Sequence, residues 1–299
     1  MFGKDTKNEG IIETTESVVV APPTSLGEFT SGKVTALSKD VTDIFTLEAQ
    51  MEGVEPRLPQ IGIVHRAEMY EMPNETKIEE FTGVIIDHNR TNAWWKISYD
   101  ESGGNTPPDC SSMDAIRPDA RVQNPQCESC IACPLNQFGT ETKKDGSPGR
   151  GKACKNMKRV HIFLEGSSLP HRLTLPPSNL KTFDHYVTDL SGRGLRLPVI
   201  LTRFCLMKSQ NQDGIDYSEI DLGYVRNDDG SPVVLATTTE EAMEIKANRD
   251  GWLSAMRGQE IIADELTSHA EEYDVPGRTG GDAGDETSFS YGENAEQPL

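Results

Sequence analysis

Between about residues 80 and 225 the chain runs in short apolar bursts, each closed by Gly, Pro, Asn or Asp. GVIIDH (Gly83 to His88), AWWKISY (Ala93 to Tyr99), RVHIFLEG (Arg159 to Gly166), HRLTLP (His171 to Pro176), LPVILTRFCLMK (Leu197 to Lys208) and DYSEIDLGYV (Asp216 to Val225) are rich in β-branched or aromatic residues. They predict strands, because such side chains suit a pleated, half-buried surface. Asn89 to Asn92 and Asn211 to Gly214 carry the residues of tight turns and predict hairpins there.

Two stretches have helical spacing instead. In PPSNLKTFDHYVTDLSGRG the apolar Leu180, Phe183, Val187 and Leu190 share one face, with Ser178 as N-cap and Gly192 as stop. TTTEEAMEIKANRDGWLSAMRGQEIIADEL opens on a capping box, Thr238 with Glu241, and Gly251 is expected to interrupt it. Strands, then one helix, then a hairpin is the order of an oligonucleotide-binding barrel. The expected fold is mainly β with a few helices: an OB-like β-barrel with an inserted zinc module and disordered termini. Residues 1–27 form a flexible lead-in, 28–257 the barrel core, and 258–299 an acidic tail, since the ends hold too little apolar material to offset ordering entropy.

Composition agrees, because only 35% of the 299 residues are hydrophobic and 6% aromatic. No run approaches ~20 apolar residues, and the start MFGKDTKNEGIIETTES lacks the apolar centre of a signal peptide, so a soluble protein of a reducing cytoplasm is expected. The net charge of −19 argues on average against nucleic acid. Its distribution reverses that argument: residues 121–208 hold 14 Lys and Arg against 6 Asp and Glu, residues 1–110 hold 9 against 19, and residues 258–299 hold 1 against 11. A solvated face with a solubilising tail would show the same asymmetry.

Cysteine spacing says more. Cys110, Cys127, Cys130, Cys133 and Cys154, five of the six, fall within 45 residues, in a segment of about 105–158 otherwise rich in Pro, Gly, Asn and Ser. Such a segment has no core of its own and needs another source of folding free energy, and Zn2+ held by four thiolates supplies it. Cys110, Cys130, Cys133 and Cys154 are the preferred ligands, because Pro134 stiffens the Cys130 to Cys133 knuckle and the other two bracket it. Cys127 has the same spacing to Cys130 and stands as the substitute ligand. An iron–sulfur cluster is the rival, although no Pro follows the distant fourth Cys. Disulfides need an oxidising compartment, and a redox pair needs a βαβ frame that the pattern lacks. Cys205, in RFCLM, reads as core. Four Cys ligands close the coordination shell, and no His-Glu-x-x-His or Ser/His/Asp set stands out, so no enzyme is expected. Gly146 to Lys152 matches Gly-x4-Gly-Lys, but Ala153 replaces the Ser or Thr that a nucleotide loop needs.

The blocks PPDCSSMD, CIACPLNQFGT, GRGKACKNMKRVHIF and LTLPPSNLKTFDHYV together resemble a family of tailed-phage proteins with Cys-Ser-Ser, Cys-x2-Cys-Pro, Gly-Lys-x-Cys-Lys and Leu-Pro-Pro blocks, over roughly residues 80–225. The resemblance implies phage origin, and so the cytoplasm of an infected bacterial host. It also implies a zinc module on Cys110, Cys130, Cys133 and Cys154 with Cys127 outside it, and no particular activity. In layout the chain is also similar to phage helix-destabilising proteins of the T-even type, which build a zinc module into a barrel followed by an acidic tail. Those proteins place a His among the ligands; here His161, seven residues past Cys154, reads as a strand residue.

Lys143, Lys144, Arg150, Lys152, Lys155, Lys158 and Arg159 surround the module and suit a phosphate backbone. Trp94, Trp95, Tyr99, Phe138 and Tyr186 are candidate surfaces for unstacked bases, although one of the adjacent Trp94 and Trp95 must point inward. The expectation is a non-enzymatic phage protein of replication or recombination that binds single-stranded DNA, with RNA as the alternative ligand. Its acidic tail would meet other replication or recombination proteins, with no membrane partner. The rivals are a regulatory protein whose zinc module binds a host or phage protein, and a zinc-bearing subunit of a nuclease or primase.

Overall fold

The structure is a computed structural model and describes residues 57–64, 67–96, 107–142, 146–167, 169–210 and 216–258, with Phe29, Gly53 and Ile261. Its strands are β1 (Gln60–Val64), β2 (Met69–Glu71), β3 (Lys77–Ile78), β4 (Glu80–Trp94), β5 (Cys110–Ser112), β6 (Lys155–Leu164), β7 (Pro170–Leu175), β8 (Leu201–Gln210) and β9 (Asp216–Tyr224). They join in the order β3-β2-β1-β7-β6-β4-β8-β9, with β5 paired to the far end of β4. β1 and β7 run parallel and the other pairs antiparallel. Helix α1 (Leu180–Gly192) lies between β7 and β8, and α2 (Thr239–Gly258) follows β9. The fold is therefore mainly β, a curled mixed half-barrel with two helices. Among the described residues no helix is long and apolar enough to cross a membrane.

β4 is the spine. It pairs with β8 over Glu80–Val84 and with β6 over Gly83–Ala93, with a bulge between Ile85 and Asp87. Gly83 permits the close approach: a Cβ there would stand 2.4 Å from Ile162 Cγ2 and 3.0 Å from the Phe163 carbonyl oxygen. The turn expected at Asn89 to Asn92 is absent, because β4 runs straight through it opposite Arg159 to Asn156. Asn156 Nδ2 donates to Asn92 Oδ1 at 2.9 Å, and Asn89 Nδ2 donates to the Met113 carbonyl at 3.0 Å. Amide side chains that favour turns in isolation find partners here across strands. The second turn, at 211–215, lies outside the described residues, but Gln210 and Asp216 on either side of it are paired as a hairpin requires.

Alternation along the strands divides the core. One face of the sheet brings Ile85, Val160, Ile162, Leu173 and Phe204 against Phe183, Tyr186 and Leu190 of α1. The other brings Val84, Ile86, Phe163 and Leu201 against Phe29, Val233, Leu235, Ile245 and Met256. Asn179, rather than Ser178, precedes α1, and its Oδ1 accepts the Ile220 N–H of β9 at 3.2 Å, covering the sheet edge instead of capping the helix. The capping box of α2 forms, with Glu241 N–H donating to Thr238 Oγ1 at 3.3 Å and Thr238 N–H to Glu241 Oε2 at 3.0 Å. Gly251 does not interrupt α2. Its cost of roughly 1 kcal/mol is offset by apolar contacts of Ile245, Trp252, Leu253 and Met256 around it. Past the helix, Ile261 is buried with Ala93 and Met157. The rest of the expected tail and the lead-in 1–27 lie outside the described residues.

Candidate metal centre

The chain leaves the sheet after β4 and returns at β6, and the clustered thiols meet where it leaves and returns. Cys110 opens β5 opposite Trp94, Cys154 immediately precedes β6, and Cys133 leads into a single 3-10 turn, Pro134–Asn136. Cys110, Cys127, Cys130, Cys133 and Cys154 all line one cavity of about 20 Å³, with Asn92, Ser112 and Asn136 among its walls. That volume admits about one water-sized sphere.

Backbone bonds bring these segments together. Cys130 N–H donates to the Ile116 carbonyl at 2.9 Å, Cys154 N–H to that of Leu135 at 2.8 Å, and Asp119 N–H to that of Ser111 at 2.8 Å. Asn136 Nδ2 reaches back to the Cys130 carbonyl at 2.7 Å. After β5, the Asp114 carboxylate accepts the N–H groups of Ile116 and Arg117 at 2.7 and 3.1 Å and the Ser112 hydroxyl at 3.0 Å. Burial disfavours its charge, but these donors hold it below the usual carboxylate range.

The Cys154 thiol is pushed up to about 12, first by burial and then by Cys133, Cys130 and Cys110, whose charges would repel its own. Burial also raises Cys130, while the Ser112 hydroxyl and the Asn92 amide act in the opposite sense. The four preferred ligands are thus near enough to feel one another, and Cys127 shares the cavity lining with them. Among the described residues, no three or more His, Cys, Asp or Glu side chains are gathered tightly enough to hold an ion as they stand. In donor chemistry the set fits a thiophilic cation, since its lining is sulfur with neutral polar groups. Asn136 Oδ1 on the same walls is buried without a hydrogen-bond partner. His161 is buried inside β6, away from the cavity lining, and burial lowers its imidazole to about 3.

The cations do not form the exposed array expected from their spacing. Arg159 is fully buried, and Lys158 is 4% exposed, ion-paired with Asp184 of α1 and 4.5 Å from the Phe183 ring centroid. Lys155 is paired with Glu141 at 2.6 Å. The reason is position: β6 lies inside the sheet with both faces covered, so consecutive residues cannot all reach solvent. Arg150 remains exposed and Lys152 partly so, while Lys143, Lys144 and Tyr99 lie outside the described residues. Trp94 and Trp95 are both half-buried, Trp95 against Ala93, Met157 and Ile261. Tyr186 is core, its hydroxyl sharing a hydrogen bond with Thr202 Oγ1 at 2.9 Å. Cys205 is not core: it is half-buried and its thiol donates to Glu80 Oε2 at 3.1 Å. Phe138 stands 76% exposed with Lys152 Nζ 4.7 Å from its ring centroid.

Spacing gave no sign of Glu141. Residues 139–142 and 146–151 pair as the two arms of a short hairpin, with Gly139 N–H donating to the Gly151 carbonyl at 2.9 Å and Gly149 N–H to that of Glu141 at 2.7 Å. Glu141 Oε2 accepts Gly151 N–H at 3.1 Å and Oε1 accepts Lys155 Nζ at 2.6 Å. A Cβ on Gly149 or Gly151 would come within 2.7 or 2.5 Å of Glu141 Oε2. The glycines thus make room for a carboxylate. No family model, curated protein or solved structure matches the chain.

Proposed function

We propose that the protein is a non-enzymatic, zinc-structured single-stranded DNA-binding protein of phage replication or recombination, working in the cytoplasm of the infected host. The observation that carries this reading is the pair Phe138 and Lys152, an exposed ring with an ammonium 4.7 Å from its centroid. A ring for a base beside a cation for the next phosphate is what sequence-independent single-strand binding needs. Cys110, Cys130, Cys133 and Cys154 would hold the zinc, and the ion would supply the folding free energy that fixes the loop carrying that pair.

An OB-like barrel agrees with this assignment. In that reading β4, β6, β7, β8 and β9 are its five strands in chain order and α1 is the helix after the third, with β4 pairing both β6 and β8. The β4–β6 connection, which bears the thiols and Phe138, is then the first inter-strand loop, one of the two that bind oligonucleotides in such barrels. The departure is at closure: β1 takes the edge of β7, and α1 lies against β9. The test is fluorescence anisotropy of labelled oligo-dT and of a duplex of equal length. Tighter, salt-dependent binding of the single strand is expected; equal affinity or none overturns the reading.

A second reading, a protein-binding module, is favoured by Ile116 and Ile131, 55% and 73% exposed on the same segment as Phe138. In that case Ile131→Asp abolishes partner capture while oligo-dT binding is absent from the start.

A further inference from the structure

Glu141 occupies its surroundings as a ligand occupies a site. Both carboxylate oxygens are engaged, one by the backbone N–H of Gly151 and one by an ammonium, and the side chain is only 15% exposed. Two glycines, 149 and 151, leave a space that a single Cβ would fill. A glycine backbone N–H and a lysine around one bound anion are among the elements with which proteins cradle phosphate. Arg150 and Lys152 flank the same N–H, and Lys152 lies over the Phe138 ring. A segment so supplied with cations gains nothing in phosphate affinity from holding a carboxylate of its own.

We propose that Gly151 N–H and Lys155 Nζ form a phosphate site in which the Glu141 carboxylate is a built-in stand-in, displaced when a nucleic-acid phosphate arrives. The inference rests on the nucleic-acid reading for the identity of the ligand, and on the hairpin alone for the site. The exchange replaces one anion by another on the same donors, so it needs only a rotation of Glu141 toward solvent. Phe138, one residue before the hairpin, then receives the base next to that phosphate. Because the stand-in competes with the ligand, removing it strengthens binding, the reverse of what loss of a structural ion pair does.

The full chain is compared with Glu141→Ala and with Glu141→Gln, which keeps an acceptor for Gly151 but loses the charge. Oligo-dT with and without a 5′-phosphate is titrated at several salt concentrations, and separately the Gly151 amide is followed by NMR as inorganic phosphate is added. Both variants are expected to bind oligo-dT about tenfold more tightly at low salt, with the salt slope steeper by about 0.7, the value of one further single-strand phosphate contact. In both, the Gly151 amide shifts saturably with phosphate, and in the unsubstituted chain it does so weakly. A gain confined to 5′-phosphorylated oligo-dT assigns the site to a strand end; an equal gain without it assigns the site to the backbone. If oligo-dT is not bound by any form but the Gly151 amide still titrates in the variants, the DNA reading fails and the phosphate site stands. If the variants bind oligo-dT no better than the unsubstituted chain and phosphate leaves Gly151 unmoved, Glu141 is a structural ion pair and the inference is overturned.

Discussion

Asp87 on β4 and Arg257 on α2, 170 residues apart in the chain, form a two-point ion pair with N–O distances of 2.9 and 2.7 Å. Arg249, earlier on the same helix, adds a contact at 3.5 Å. The bulge before Asp87 re-aims its side chain, and the helix is thereby tied to the sheet by charge as well as by apolar contact. Burial works against the Asp87 charge most strongly of any single influence, but Arg257, His161 and Arg249 together outweigh it and hold the carboxyl below the usual carboxylate range. Arg257→Met should therefore destabilise the fold by about 1–3 kcal/mol in urea unfolding, the cost of leaving a buried charged acceptor short of donors. Asp87→Asn in the same background should cost less than it does alone. A carboxyl lowered on folding stabilises above its unfolded pKa of about 3.9, so this contribution is complete at neutral pH and lost as pH falls below about 4.

His161 gives a second, earlier acid response. Its ring lies 4.0 Å from Asp87, fully buried, and neither ring nitrogen has a hydrogen-bond partner. Burial lowers it to about 3; Asp87 pulls it upward, while Arg159, Arg172 and Arg257 push it further down. An unfolded histidine takes up its proton near pH 6.5, so between there and about 3 the unfolded state binds more protons. Stability should fall across that window by up to about 1.4 kcal/mol per pH unit. His161→Leu removes a group with no hydrogen bond to lose, and should flatten the decline between pH 6.5 and 4.5 in urea titrations. An unchanged slope would assign the acid sensitivity to other groups.

These relationships show where sequence reading stops. Periodicity located β6, β7, β8, β9 and both helices, because each is long enough for its pattern to repeat; of β4 it found GVIIDH, whereas AWWKISY, expected as a strand of its own, contributes only Ala93 and Trp94 to that strand before it ends. It passed over β1, β2, β3 and β5, of two to five residues, which exist only because neighbouring strands pair with them. The thiol cluster was legible because knuckle spacing is local. Lys158 and Arg159 were misplaced because nothing in their neighbourhood tells that β6 is interior or that Asp184 waits on α1. Asn89 to Asn92 failed likewise: turn propensity is a local preference, and cross-strand partners override it.

Gly83→Ala should be costly although alanine is the smallest side chain available. Its Cβ would meet Ile162 Cγ2 at 2.4 Å, and behind that contact stands the Phe163 carbonyl oxygen, which cannot rotate away. A loss of about 1–3 kcal/mol is expected for such overpacking, read as a lower urea midpoint with unchanged m-value. Gly192→Ala is the control, since nothing lies within 4 Å of the Cβ it would add at the end of α1. It should leave the midpoint unchanged or raise it by a few tenths of a kcal/mol, because alanine costs less chain entropy than glycine.

The metal prediction separates the five clustered thiols. Under reducing purification the full chain should carry about one zinc, measured by elemental analysis, because a small cavity lined by sulfur closes readily on a single tetrahedral ion. Cys133→Ser should lose the metal and lower the melting temperature, since structural zinc binding is coupled to folding. Cys127→Ser should keep both. Cys127 lines the cavity but also an outer groove beside Ile116 and Pro125. Chelation of the unsubstituted chain should reproduce Cys133→Ser, and it should weaken oligo-dT binding as well, because the loop bearing Phe138 hangs from Cys133 and Cys154 through Leu135 and Asn136. Retention of zinc by Cys110→Ser together with its loss from Cys127→Ser would move the fourth ligand from β5 to the loop. An iron–sulfur absorption band, or no metal at all, would remove zinc from the account of how this segment folds.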